Sequence, residues 1–239
     1  MKALPKTGIL ALMLTSIVFL MTACNTDGKY EVKNGKVFFT YWTVSFGTLE
    51  HELKDADAAS FQSMKDWLGR DAHHVWFKDR LVTSAHPASA EPMEYPLFRD
   101  RRDYYYKGAP LHVKDLATFT VKKCEEREFW ATDSQYIYYD SLRIEGSDPA
   151  TFEYLEFYKA KDRLHVYYNG KILPDADPAS YVAMGTYSKD KSHVWYCGEL
   201  MEGADPATFE AEETLDSDKP DAHDKNRQYR YGKVFEQND

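Results

Sequence analysis

One pattern recurs along most of this chain, and it constrains the fold more than any other feature. The stretch KDRLHVYYNGKILPDADPASY at 161–181 matches KDKSHVWYCGELMEGADPATF at 189–209, and related copies stand at 133–152, 101–119 and 70–90. A fixed period of this length marks a tandem array, in which each unit buries its apolar faces against its neighbours. The register is consistent. Val75, Tyr104, Ile137, Val166 and Val194 hold one place, and fifteen residues later stand Ala90, Phe119, Phe152, Tyr181 and Phe209. Successive units are 29, 33, 29 and 28 residues apart, so length changes fall between modules rather than within them. A looser first copy runs from Val37 to Phe61 with nine extra residues, and a fragment at 223–235 stops half-way. Five good copies with two degenerate ends is the form an array needs to cap its core.

Each unit reads as β-structure. β-branched and aromatic residues flank Asn169-Gly170, a two-residue hairpin signal because both turn positions must accept positive φ. Lys107-Gly108, Cys197-Gly198 and Tyr231-Gly232 keep part of that chemistry. Asp-Pro-Ala-Thr-Phe follows at 148–152 and again at 205–209. Aspartate suits a helix N-cap and proline the first helical position, which predicts one short helical turn with Phe152, Tyr181 and Phe209 pinned into the core. A further strand is expected over Tyr154–Tyr158, ending at a polar turn at Lys159–Asp162. The predicted fold is all-β: repeats of about three short strands and one helical turn, stacked as a solenoid-like or curved meander, with small propeller-like closure as the alternative. No segment shows a long 3.6-residue apolar period. The stretch Glu210–Lys225, acidic and holding Pro220, is expected to be an exposed loop.

The repeat resembles the DKNYY family, named for an Asp-Lys-Asn-Tyr-Tyr-like motif in bacterial, often lipid-anchored, envelope proteins. The resemblance covers roughly 30–235. It is strongest over Lys161–Tyr181 and Lys189–Glu210, weakest before residue 70, and loses the large aromatic at Ala90. It implies a repeat fold and an envelope location, and no activity.

The N-terminus carries an address. Lys2 and Lys6 precede an uncharged apolar run from Gly8 to Met21, and Thr22-Ala23-Cys24 follows. These are the parts of a secretory signal, and the run is too short for a comfortable membrane span. Leu20–Cys24 resembles a bacterial lipobox, although Met21 is a less usual residue there. The expected organisation is a signal peptide at 1–23, a lipidated N-terminus and tether at 24–36 with acylation at Cys24, and one repeat domain at 37–239. Asn25 after the cysteine would direct a Gram-negative lipoprotein to the outer membrane. Without residues 1–23 the formal charge moves from −9 to −11, because Lys2 and Lys6 are lost and no acid is. Lipid rather than electrostatic attraction would then hold the protein to a negative membrane, and its soluble part is expected to stand away from the surface.

The acidic balance also argues against nucleic acid as a partner. The strand faces leave two readings. Trp76, Tyr105, Tyr138, Tyr167 and Trp195 share one face, while their neighbours on the other face are aromatic or β-branched too. Burial on both sides of a stack is the first reading; an exposed stripe binding glycan or a partner protein is the second. His74, His165 and His193 hold the same repeat position, one unit apart or more, which is too far to share a tetrahedral metal. Asp148, Asp177 and Asp205 read as turn caps. Cys124 and Cys197 can pair only if units more than one apart come close. No nucleophile elbow, phosphate-cradling glycine loop or Cys-x-x-Cys pair is present. No catalytic residue, metal or cofactor is therefore assigned. The expected function is a lipid-anchored, non-enzymatic interaction surface for a protein partner, one version being an inhibitor or immunity lipoprotein. Cell-wall or glycan binding through the stripe is the alternative.

Overall fold

The structure is a computed structural model, described here for residues 28–212 and 218–236. Its described residues form seven small antiparallel sheets, each a meander of strands consecutive in sequence. The first sheet has three strands: β1 (Lys29–Lys33), β2 (Lys36–Thr43) and β3 (Gly47–Glu52). Each of the other six has four. In the fifth sheet these are Glu153–Tyr154, Lys159–Lys161, Val166–Tyr168 and Lys171–Ile172, and the remaining units follow the same plan.

The hydrophobic residues explain how the sheets are held. Six apolar clusters lie between consecutive sheets, and none among the described residues joins the first sheet to the last. Within the central strand of each unit the faces divide the work. Tyr167 packs back on Trp130, Ile137 and Tyr139 of the preceding unit, while Val166 packs forward on Tyr181 and Trp195 of the next. A strand buried on both faces has no need of polar alternation, so the doubly aromatic pattern is the signature of a stack. The architecture is the open, solenoid-like meander; the propeller-like alternative would need a cluster between the two ends.

Packing volumes compensate within each unit. Large residues at Phe61, Phe119, Phe152, Tyr181 and Phe209 are matched by small ones opposite the stripe: Gly69, Ala131, Ala160, Ser188 and Ala222. A Cβ on Gly69 would lie 2.5 Å from the Phe61 ring. In the unit where the large residue is replaced by Ala90, the opposite position is Phe98, which stacks on Tyr105 with ring centroids 4.6 Å apart. The lost aromatic is thus restored from the neighbouring strand, as close packing requires.

Four expectations change. Each complete unit has four strands, not three: Tyr154–Tyr158 is not one strand, because Phe157 and Tyr158 adopt positive φ and turn the chain into a second strand at Lys159–Lys161. Lys159 reads as a turn residue but is fully buried, its ammonium donating to the carbonyl of Gly185 in the next unit. The helical turn is 3-10 at Pro87–Ser89 and Pro149–Thr151, and elsewhere a plain turn. The repeat domain begins before residue 37, since β1 lies inside the expected tether and pairs with β2 from Lys29↔Thr40 to Lys33↔Lys36. The signal peptide and Cys24 lie outside the described residues.

Candidate interaction surfaces

The five stripe residues are core. Trp76, Tyr105, Tyr138, Tyr167 and Trp195 are each at most 2% exposed. The exposed-stripe reading is therefore corrected: a ring sandwiched between sheets cannot stack on a sugar.

The phenols of that stripe mark a device the sequence reading missed. Tyr167 donates its hydroxyl to Asp162 Oδ2 at 2.6 Å. Asp162 sits in the turn before the central strand and is buried. Its Oδ1 accepts the backbone N–H groups of Leu164 and His165, both at 2.7 Å, and its Oδ2 also accepts the N–H of Asp148 at 2.7 Å. Asp148 opens the connection from the previous sheet, so this carboxylate ties two units together. The tie is reciprocal, because Thr151 Oγ1 in that connection accepts the N–H of Arg163 at 3.0 Å. An ion pair between Arg163 and Asp148 at 2.7 Å closes it. Asp71, Asp100, Asp133, Asp190 and Asp224 repeat the arrangement, taking N–H groups from Asp57, His86, Asp115, Asp177 and Asp205. The signal was available: aspartate stands five residues before the stripe aromatic in every unit, including Asp224 before Tyr229.

Five of these carboxylates stay ionised although buried. Burial is the largest influence on Asp71, Asp133, Asp162, Asp190 and Asp224 and opposes their charge, but the hydrogen bonds together outweigh it and hold each below the ordinary carboxylate range. Where tryptophan replaces the stripe tyrosine, the ring of His74 or His193 stands beside the aspartate at 3.4 Å. His165 stands 3.8 Å from Asp162. The repeated histidines serve these turns, and among the described residues no three metal-ligating side chains come together.

The capping role expected of Asp148 is also revised. Its side chain makes no bond to the N–H groups of its 3-10 turn and instead accepts the Thr151 hydroxyl at 2.8 Å. Asp177 and Asp205 combine such a hydroxyl with a long N–H contact, at 3.4 Å from Ala179 and 3.3 Å from Ala207. Cys124 and Cys197 are free thiols. They belong to the fourth and sixth sheets, which an open array keeps apart, so the disulfide reading is corrected. Burial pushes the Cys124 thiol up to about 11, away from reactivity at neutral pH.

Two apolar features remain on the outside. The last strand of each four-stranded unit is a sheet edge, and its residue opposite the stripe is Leu81, Pro110, Arg143, Ile172, Leu200 or Val234. Leu81, Ile172, Leu200 and Val234 are exposed. They form a repeated aliphatic row at one register position, interrupted by the half-buried Pro110 and by Arg143. The second feature is the tip of the β2–β3 hairpin, where Trp42, Val44 and Phe46 face outward.

The fold and these features define an open array of β-meander units tied by buried aspartates. The DKNYY family model matches residues 130–186, which run from the fourth sheet into the sixth. That stretch is similar to the DKNYY family, and the units on either side repeat its fold. Within the matched stretch, Asp162 and Tyr167, the first of the paired Tyr167-Tyr168, are the two ends of a hydrogen bond that joins turn to core. Comparison with curated proteins finds no match, and comparison with solved structures finds none.

Proposed function

We propose that the protein is a lipid-anchored component of the bacterial envelope whose array works as a non-enzymatic interaction surface for another protein. The observation that carries the reading is the exposed row at Leu81, Ile172, Leu200 and Val234. Aliphatic side chains repeated at one register position offer a long apolar contact rather than an enclosed pocket, which suits a protein partner. The unpaired edge strands beneath them add backbone donors and acceptors for an extended segment. The formal charge of −11 that remains without residues 1–23 favours a basic partner and speeds encounter. A glycan-binding reading loses its residues once the stripe is core.

The test is comparative capture. The full chain and the triple variant Ile172→Lys, Leu200→Lys, Val234→Lys are immobilised and exposed to detergent-solubilised envelope extract. The three side chains are exposed, so the variant keeps its circular dichroism. The expected outcome is one protein retained by the native chain and lost by the variant. Equal retention by both, or retained glycan with no protein, would contradict the reading.

A further inference from the structure

The first sheet differs from the rest. β2 and β3 are eight and six residues long and overhang the stack, whereas the strands of the later sheets have two to five residues. The overhang ends in a largely exposed tip; Trp42 and Val44 share a shallow cavity with Lys78 and Asp79, which turn between the last two strands of the second sheet, and Asp79 pairs with His51. Trp42 is 49% exposed, and Val44 and Phe46 are each 78% exposed. Residues 40–49 hold no charged side chain. The hairpin's charges gather toward its other end, where Lys33 pairs with Glu50 and Lys36 with Glu52. The tip is ordered rather than loose: Phe46 donates its N–H to Thr43 Oγ1 at 3.1 Å, and that hydroxyl donates to the Gly47 carbonyl at 3.3 Å.

Strand register shows which way the chain enters. β1 pairs antiparallel with β2, and Lys29 lies opposite Thr40. Lys29, the first residue of β1, therefore stands at the end of the sheet where β2 runs on to Trp42 and Val44. Five residue steps separate Lys29 from Cys24, a reach of at most about 18 Å. Val44 lies four steps beyond Thr40, about 13 Å along the strand. Cys24 is thus within reach, by chain length alone, of the end of the first sheet that carries the apolar tip.

We propose that Trp42, Val44 and Phe46 at the β2–β3 tip seat in the headgroup–acyl boundary of the bilayer that holds Cys24. The inference rests on the lipid-anchor reading above. An uncharged tip rich in aromatic and aliphatic residues suits that boundary, where tryptophan is favoured and where a second contact steadies a single anchor. The first sheet then stands on the membrane, and the soluble part does not float free on a long tether. The later units extend from a fixed base, which orients the aliphatic row relative to the surface.

The experiment uses the full chain, produced in a lipoprotein-processing bacterial host and reconstituted into phosphatidylethanolamine–phosphatidylglycerol vesicles with or without brominated acyl chains. Brominated lipid is expected to quench tryptophan emission. Trp42→Phe should remove most of that quenching, because Trp76, Trp130 and Trp195 are buried in the stack and the half-buried Trp67 packs against Phe77 and Tyr95 between the second and third sheets. The pair Val44→Asp, Phe46→Asp, both exposed and outside the core, should abolish it while circular dichroism is unchanged. Intact mass reports acylation at Cys24 separately. An acylated chain whose Trp42 is unquenched overturns the tip proposal and leaves the anchor reading standing. An unmodified chain refutes the anchor reading, and the same quenching on added vesicles still decides the tip: quenching supports it and none overturns it. Emission that changes only when envelope proteins are added, and not with lipid, overturns it in favour of a protein contact.

Discussion

Asp162→Ala is expected to destabilise the array by about 3 kcal/mol or more, the cost of leaving several buried donors without an acceptor. The N–H groups of Asp148, Leu164 and His165 and the hydroxyl of Tyr167 all lose their partner. Stacked units interact only with neighbours, so the damage should be regional. Hydrogen exchange should accelerate in the fourth to sixth sheets and much less in the second. Asp162→Asn should fall between, because an amide supplies one accepting oxygen where the carboxylate supplies two. The same chemistry sets the response to acid. Asp71, Asp133, Asp162, Asp190 and Asp224 titrate lower in the folded protein than in the unfolded chain, where aspartate titrates near about 3.9. Their stabilisation is fully present above that value and is lost as the pH falls through the folded pKa values. Ellipticity should hold steady from neutral pH to about 4 and then drop steeply, with a shallower drop in Asp162→Asn. A flat profile to pH 2 would show that the carboxylates carry no such load.

Gly170→Ala is the second large effect. Gly170 sits at φ +70°, and an added Cβ would come within 2.5 Å of the Tyr139 ring in the preceding unit. Two penalties combine: the left-handed backbone costs about 1–2 kcal/mol with a side chain, and overpacking a filled contact costs about 1–3 kcal/mol more. Gly146 separates them, because its φ is +74° but an added Cβ there meets nothing within 4 Å. Thermal unfolding should place Gly146→Ala modestly below the native chain and Gly170→Ala well below both. Equal midpoints for the two variants would mean that the ring does not press on the turn.

Much of this fold is legible in the residues because the repeat imposes itself at every level. Asn169-Gly170 marks a hairpin, and the neighbouring turns follow it. Aromatic residues on both strand faces signal burial on both sides, and the structure buries them. What escapes has a physical reason in each case. Lys159–Lys161 reads as a solvated turn because lysine seldom enters a core, yet here the next unit supplies a carbonyl for the ammonium. The tying aspartates read as turn residues because their burial is created by the neighbouring unit rather than by local sequence. The tether looks long because β1, with Lys29, Glu31 and Lys33, has the composition of a linker; pairing with β2 makes it a strand. Ala90 looks like a damaged unit until Phe98 is seen across the strand. The aliphatic row is hidden for the opposite reason: Ile172 and Leu200 are aliphatic residues within apolar stretches, and only the edge position of their strands, which residue type does not show, exposes them.

The central claim is that the stripe is structure and the aliphatic edge is the working surface. Hydroxyl-radical footprinting by mass spectrometry tests both halves in one measurement, on the full chain alone and after incubation with detergent-solubilised envelope extract. The account predicts that Leu81, Ile172, Leu200 and Val234 are oxidised in the free chain and protected in the extract, while Trp76, Tyr105, Tyr138, Tyr167 and Trp195 stay unlabelled throughout. Heavy labelling of those five aromatics in the free chain, suppressed by the extract while the aliphatic row stays reactive, would contradict it.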